Sequence, residues 1–138
     1  MVREEKMPSV SEAVLDSSAV LAYLQSEPGA EIVEPILLGK SLVSAVNLAE
    51  IVSRLRDGGM PEPVIKEVLA ELSLTIVPFD ADSALATGLL IGLTKSLGLS
   101  LGDRACISLG ITRHRPVLTT NRNWERLSLQ VENRAIQQ

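Results

Sequence analysis

Four residues in this chain carry oxygen ligands at places where a fold could bring them together: Asp16, Glu50, Asp103 and Asn121. The first three are carboxylates and the fourth is a carboxamide. Carboxylates gathered at one point repel each other unless they are protonated or neutralised by a cation. Donors that are all oxygen suit Mg2+ or Mn2+ rather than zinc. Taken singly, each acid has a plainer role. Asp16 stands between Leu15 and Ser17-Ser18 and reads as a helix cap. Glu50 precedes Arg54 by four residues, a surface pair worth only ~0.3–0.5 kcal/mol. Asp103 follows Ser100 at the spacing of a capping box, in the first turn of a helix whose positive end favours an anion. The metal reading therefore depends on whether the elements carrying these residues converge.

Those elements follow from the hydrophobic pattern. Ala13-Val14-Leu15 is a short apolar run stopping at Asp-Ser-Ser, the pattern of a buried parallel strand entering a helix over 19–25. A second short helix covers 30–38 and closes at Gly39. Ser41 to Ala45 is the next strand. The helix over 46–56 has Leu48, Ile51, Val52 and Leu55 as its apolar stripe, with Asn47, Glu50 and Arg54 on a separate face. Pro61 opens a helix to about Leu72, with Val64, Ile65, Val68, Leu69 and Leu72 inward. A strand over 74–79 precedes one long helix from Asp80 and Asp82 to near Gly98, whose Leu85, Leu89, Leu90 and Leu93 are core candidates. The helix from Leu101 to about His114 leads into a strand over 116–120, and 129–131 reads as a last edge strand. Residues 1–12 have no period and read as a loose arm, leaving 13–138 as one domain. Alternating strands and helices imply an α/β fold with a central parallel sheet of four to five strands, covered on both faces. Ligands in such sheets bind beyond the carboxyl ends of the strands. With right-handed crossovers, Asp16, Asp103 and Thr119 to Asn121 fall at that edge, and Glu50 lies one and a half turns into its helix on the same side.

Composition bounds the function. The chain has 138 residues, 46% hydrophobic, with only Tyr23, Phe79 and Trp124 as aromatics. A core of Leu, Ile, Val and Ala follows, and the scarcity of aromatics argues against a platform of aromatic rings for reading bases. A single cysteine, Cys106, excludes an internal disulfide and a cysteine-rich zinc site and reads as a small core residue. Net charge is −4, divided as −7 over residues 1–100 and +3 over 101–138. An acidic total is also expected of a chain whose carboxylates hold cations, because the ions are outside the count. With no signal peptide and no apolar run near twenty residues, the chain reads as soluble and cytoplasmic, with no membrane partner. A phosphoacceptor receiver domain would also be parallel α/β, but it wants an adjacent acidic pair near the first strand, which Leu15-Asp16-Ser17 lacks.

Four stretches together carry a resemblance: Leu15-Asp16-Ser17-Ser18-Ala19, Asn47-Leu48-Ala49-Glu50, Leu101-Gly102-Asp103-Arg104-Ala105-Cys106, and Val117-Leu118-Thr119-Thr120-Asn121-Arg122-Asn123-Trp124. Each is weak alone. In this order, on these elements, the chain resembles a PIN-domain ribonuclease of the kind found as the toxin of VapBC-type toxin–antitoxin pairs, over roughly 14–129. The resemblance implies a three-layer PIN-like domain that cleaves RNA phosphodiester bonds with Mg2+ or Mn2+. It implies Asp16, Glu50 and Asp103 as metal ligands, and Ser18 and Thr119 as hydroxyls orienting Asp16, the substrate or waters. It also implies a homodimer and a small antitoxin that plugs the site, with the helices over 19–38 and 61–72 as the expected partner surface. Arg104, Arg122 and Arg54 are the candidates for RNA phosphates, which would position the substrate without reading its sequence. The departure is Asn121, where the family often has Asp. An amide oxygen can ligate a hard cation but brings no charge. An alternative therefore stands beside the nuclease: an attenuated or inactive PIN domain that binds RNA or protein.

Overall fold

A computed structural model of the chain describes residues 12–121 and the backbone of 133–135. The arm expected at 1–12 lies outside these residues except for Glu12, and the edge strand expected at 129–131 lies outside them entirely. The elements run β1 (Glu12–Leu15), α1 (Ser17–Leu24), α2 (Ala30–Leu38), β2 (Lys40–Ser44), α3 (Ala45–Asp57), α4 (Glu62–Leu72), β3 (Thr75–Val77), α5 (Ala81–Leu89), α6 (Ile91–Thr94), a 3-10 turn (Lys95–Leu97), α7 (Leu101–Arg113), β4 (Val117–Thr119) and β5 (Asn133–Ala135).

The five strands form one sheet in the order β3-β2-β1-β4-β5, and every pair is parallel. The register explains the layers. Val14 pairs with Leu42 on one side and Val117 on the other. These three side chains share one face of the sheet and pack with Cys106 and Ile107 of α7 and with Leu99. Ala13, Leu15, Val43 and Leu118 point the other way, into a larger cluster with Val20, Val33, Ile36, Ile51, Leu55 and Ile65 from α1 to α4. Side chains alternate along a strand, so two buried faces require strands that are apolar throughout, as the sequence pattern implied.

The chain builds β2 and β3 on one side of β1, then crosses to build β4 and β5 on the other. The carboxyl ends of β1 and β4 therefore flank the point where strand order reverses, the place where open α/β sheets leave a crevice. Asp16 follows β1 directly, and Thr119 ends β4.

The long helix expected to reach Gly98 is broken. Leu90 caps both α5 and α6, Thr94 Oγ1 donates back to Leu90 O, and Gly98 closes the 3-10 turn at φ 67°. Gly88 and Gly92 are weak helix formers on either side of the break. The segment is also less buried than its leucines suggest. Leu85, Leu89 and Leu93 are 65%, 71% and 60% exposed, so three of the four expected core positions lie at the surface, and only Leu90 packs inward. On α4, Val64 is likewise exposed where the stripe placed it inside. A helical repeat of leucines fixes which residues share a face, not what that face meets. Among the described residues, no single helix is long and apolar enough to cross a membrane.

Candidate active site

Asp16 occupies the N-cap position of α1, yet its side chain makes no capping hydrogen bond. Its carboxylate is buried (3% exposed) and directed across the sheet edge. Ser18 Oγ donates to Oδ2 at 2.7 Å, and Thr119 Oγ1 donates to the same oxygen at 3.0 Å. The two hydroxyls lie 3.3 Å apart. Each has one proton and spends it on Asp16, so both retain lone pairs. These accept backbone N–H groups: Thr120 N on Ser18 Oγ and Asn121 N on Thr119 Oγ1, each at 3.0 Å. The start of α1 and the end of β4 are thereby tied together around one carboxylate oxygen. The other oxygen, Oδ1, is buried with no hydrogen-bond partner among the described residues.

Glu50 reaches the same region from α3, which begins at Ser44, whose Oγ accepts from Val46 N. Ser17 Oγ and Asn47 Nδ2 both donate to Glu50 Oε1 at 2.9 Å. Asn47 is fully buried and also donates to Gly102 O, at 3.1 Å, on α7. The face of α3 carrying Asn47 and Glu50 is thus turned against α7, whereas Arg54 on the following turn is exposed. Arg54 shares an open groove with Ser17 and Glu50.

Asp103 does cap. Its Oδ2 accepts from Ser100 N at 2.9 Å, and its own N–H donates to Ser100 Oγ at 3.1 Å, completing the capping box. Arg104 runs towards α5, donating from Nη1 to Thr87 O, with Nε buried and without a partner among the described residues. Asn121 is placed through its backbone on Thr119. Arg122 lies outside the described residues.

The electrostatics follow from burial and neighbours. Burial raises the Asp16 pKa from an ordinary 3.8 to about 6; the bonds from Ser18 and Thr119 pull it down, and the charges of Asp103 and Glu50 push it up. Cys106 lies beneath the cluster, fully buried, and its thiol is raised well above its usual value by burial and then by the charges of Asp16, Asp103 and Glu50. It stays a protonated core group.

The three carboxylates are close enough to perturb one another, but they are not drawn into a closed cage. Among the described residues, no three His, Cys, Asp or Glu side chains gather tightly enough to enclose an ion. Local bonds hold them apart: Ser100 engages Asp103, and Ser17 and Asn47 engage Glu50. The donor set still fits a hard divalent cation. It is all oxygen, and Asp16 Oδ1 is a buried carboxylate oxygen that no other described residue satisfies. A cage of three direct carboxylates is not required, because Mg2+ keeps several waters and takes one or two carboxylates.

Sequence reasoning did not single out Ser17 or Gly102, and it set Asn47 on a polar face. A signal for Asn47 was present. It precedes Glu50 by three residues, a neighbour on the helix surface, and an Asn that close to a carboxylate can donate to it.

With this geometry in place, comparisons with known proteins define the class. The profile of the PIN domain matches residues 13–129, so the chain belongs to the PIN-domain family. The fold is shared with VapBC2 from Rickettsia felis bound to a DNA fragment from its promoter, at TM-score 0.66 and 22% identity, covering 88% of this chain and 97% of that one. DNA-bound VapBC from Salmonella typhimurium gives 0.69 and 18% over 91% and 98%. VapBC-5 from Mycobacterium tuberculosis, described as a member of the VapBC family of toxin–antitoxin systems, gives 0.56 and 22% over 94% and 100%. Curated protein sequences yield no match.

Proposed function

We propose that this chain is a metal-dependent endoribonuclease, the toxin of a VapBC-type toxin–antitoxin pair, acting in the cytoplasm. The observation that carries the reading is Asp16. A carboxylate buried at the reversal point of a parallel sheet, with one oxygen fixed by two hydroxyls and the other without a partner among the described residues, costs stability and is suited to holding a cation. Asp16, Glu50 and Asp103 would hold Mg2+ or Mn2+. When bound, the ion supplies an acidified water and offsets the charge of the scissile phosphate.

The protein's own groups do the positioning. Ser18 and Thr119 fix the orientation of Asp16 through Oδ2. Ser17 and Asn47 hold Glu50. Arg54, exposed in the groove beside Glu50, is the best placed described cation for an RNA phosphate, whereas Arg104 already spends a donor on Thr87 O. Arg122 remains a candidate on sequence grounds. The test is RNA cleavage in Mg2+ or Mn2+, abolished by EDTA and lost in Asp16→Ala with folding intact. Full activity in EDTA or in that variant refutes the mechanism.

Asn121 and the open spacing of the acids favour a second reading, a PIN domain attenuated in cleavage that acts as a binding module. Asn121→Asp separates the two. A large gain in cleavage marks the present site as weakened, and no change marks a site that works without a fourth acid.

Two partners complete the proposal. An antitoxin segment fits the groove lined by Tyr23, Leu37, Leu38, Glu34 and Glu71, between the helices where sequence placed the partner. Leu38 there is 84% exposed, and the two glutamates favour a partner that combines apolar and basic side chains. The second partner is another copy of this chain. From Ser83 to Thr94 there is no charged residue, and Leu85, Leu89 and Leu93 face outward. A charge-free apolar face is self-complementary, as a two-fold contact requires.

A further inference from the structure

Gly102 stands in the first turn of α7 with an ordinary helical backbone; the glycines with positive φ are Gly29, Gly59 and Gly98. A turn therefore does not explain it, and a glycine inside a helix is unfavourable relative to alanine. Space explains it. A Cβ at this position would lie 2.6 Å from both Cδ and Oε1 of Glu50, and closer still to Oε2. The glutamate carboxylate lies flat against the bare Cα of α7. Gly88 and Gly92, by contrast, have nothing within 4 Å of such a Cβ. The same contact is braced from the other side. Asn47, fully buried, donates through one amide nitrogen to Glu50 Oε1 and to Gly102 O, so it holds the carboxylate and the backbone it rests on.

We infer that Gly102 and Asn47 are positioning residues for Glu50: the glycine leaves the space in which the carboxylate sits, and the asparagine locks it there against α7. The inference rests on Glu50 being a metal ligand. In wild type, Oε1 takes donors from Ser17 and Asn47, and Oε2 is the oxygen nearest the bare Cα of Gly102. A side chain at 102 forces Glu50 out of this seat without removing any carboxylate from the cluster.

The experiment combines Gly102→Ala, Asn47→Ala and Glu50→Ala, with Mn2+ titrated calorimetrically into each purified protein and melting followed in EDTA. Groups that orient metal ligands typically contribute 10–100-fold to affinity. Gly102→Ala and Asn47→Ala are each expected to weaken Mn2+ binding by at least about tenfold on that basis. In the Glu50→Ala background, Gly102→Ala should change affinity by less than about twofold, because its effect passes through Glu50. Melting supplies a readout that needs no metal. Gly102→Ala should lower Tm in wild type, where Cβ meets the carboxylate, and raise it in Glu50→Ala, where only the gain in helix propensity remains. Unchanged Mn2+ affinity in Gly102→Ala, or an equal loss in both backgrounds, overturns the inference. If Gly102→Ala alone does not fold, folding of the Glu50→Ala/Gly102→Ala pair supports it, and failure of that pair overturns it. Failure of the metal reading itself is seen separately, as wild type taking up no Mn2+, and removes the positioning role with it.

Discussion

Asp16 should make the metal-free protein less stable as pH rises, and replacing it should make that protein more stable. Its folded pKa is about 6 against an ordinary 3.8, and burial is the largest cause. A raised carboxylate pKa means the folded state prefers the protonated form. The associated stability is fully present below about 3.8 and is lost as pH rises through about 6. The difference is about two pK units, or about 3 kcal/mol at 1.36 kcal/mol per unit. Asp16→Asn removes the charge but places an amide where Oδ1 has no partner, which returns about 1 kcal/mol of that gain. The net expectation is about 2 kcal/mol in favour of the variant at pH 7.5 in EDTA, or a Tm rise on the order of 5–10 °C. The assay is thermal melting of both proteins in EDTA from about pH 4 to 8. The two curves should meet between about pH 4 and 5, diverge up to about pH 6 and run nearly parallel above it. Saturating Mg2+ should raise wild type at pH 7.5 more than the variant, because the amide brings no charge to the cation. An Asp16→Asn protein that melts lower than wild type at pH 7.5 in EDTA, or a wild type with no loss between pH 5 and 8, refutes the account of Asp16 as a strained ligand.

Three further outcomes follow from the same geometry. Thr119→Val keeps the shape of a fully buried side chain but removes a hydrogen bond to a charged acceptor; it should cost about 1.5–3 kcal/mol at pH 7.5 and displace the acid limb of the cleavage profile to higher pH, read by urea melting and by rate against pH. Leu89→Lys places a charge on the exposed α5 face and should convert a dimer to a monomer in light scattering without loss of Tm; an unchanged mass excludes this face as the self-contact. Cys106 should resist alkylation at pH 8 in the folded protein and react only on unfolding, because its thiol is buried and its pKa is raised; rapid native labelling contradicts that placement.

The parts of this protein legible in its sequence are those whose cause is local. The strands around Val14, Leu42 and Val117 read as continuous apolar runs because both of their faces are covered, and the capping box at Ser100 is a spacing rule that the fold simply obeys. The placement of Asp16 at the sheet edge was likewise accessible, since an apolar run ending in Asp-Ser-Ser marks a strand end. What was not legible depended on partners far apart in the chain. Asp16 as a helix cap is a reasonable local guess, defeated by Thr119, which lies 103 residues away and claims the same oxygen as Ser18. Asn47 shares a helix face with Glu50 and Arg54, and a helix repeat cannot say that α7 will cover the first turn of α3 and leave the next turn open. Leu85, Leu89 and Leu93 failed for the converse reason: their repeat is regular, but α5 and α6 bury Thr87 and Thr94 instead, and α5 packs against α7.

Asp103 shows why a cap and a ligand are not competing answers. Its Oδ2 is engaged by Ser100 N, which satisfies one helix-end donor, while a carboxylate has a second oxygen and further lone pairs to offer. The charge, not the shape, is what a cation needs; the shape, not the charge, is what the cap needs. Asp103→Asn separates the two. An amide oxygen can still accept from Ser100 N, so stability should fall by well under 1 kcal/mol, whereas Asp103→Ala empties the box and should cost about 1 kcal/mol. If Asp103 serves the cation, both variants lose RNA cleavage and bind Mn2+ more weakly, although only one is destabilised. If Asp103 only caps, Asp103→Asn cleaves RNA at the wild-type rate and Asp103→Ala regains that rate below its lowered melting temperature. The measured pair, cleavage against Tm for each variant, therefore decides whether the first turn of α7 contributes a charge to the site or only a well-made helix end.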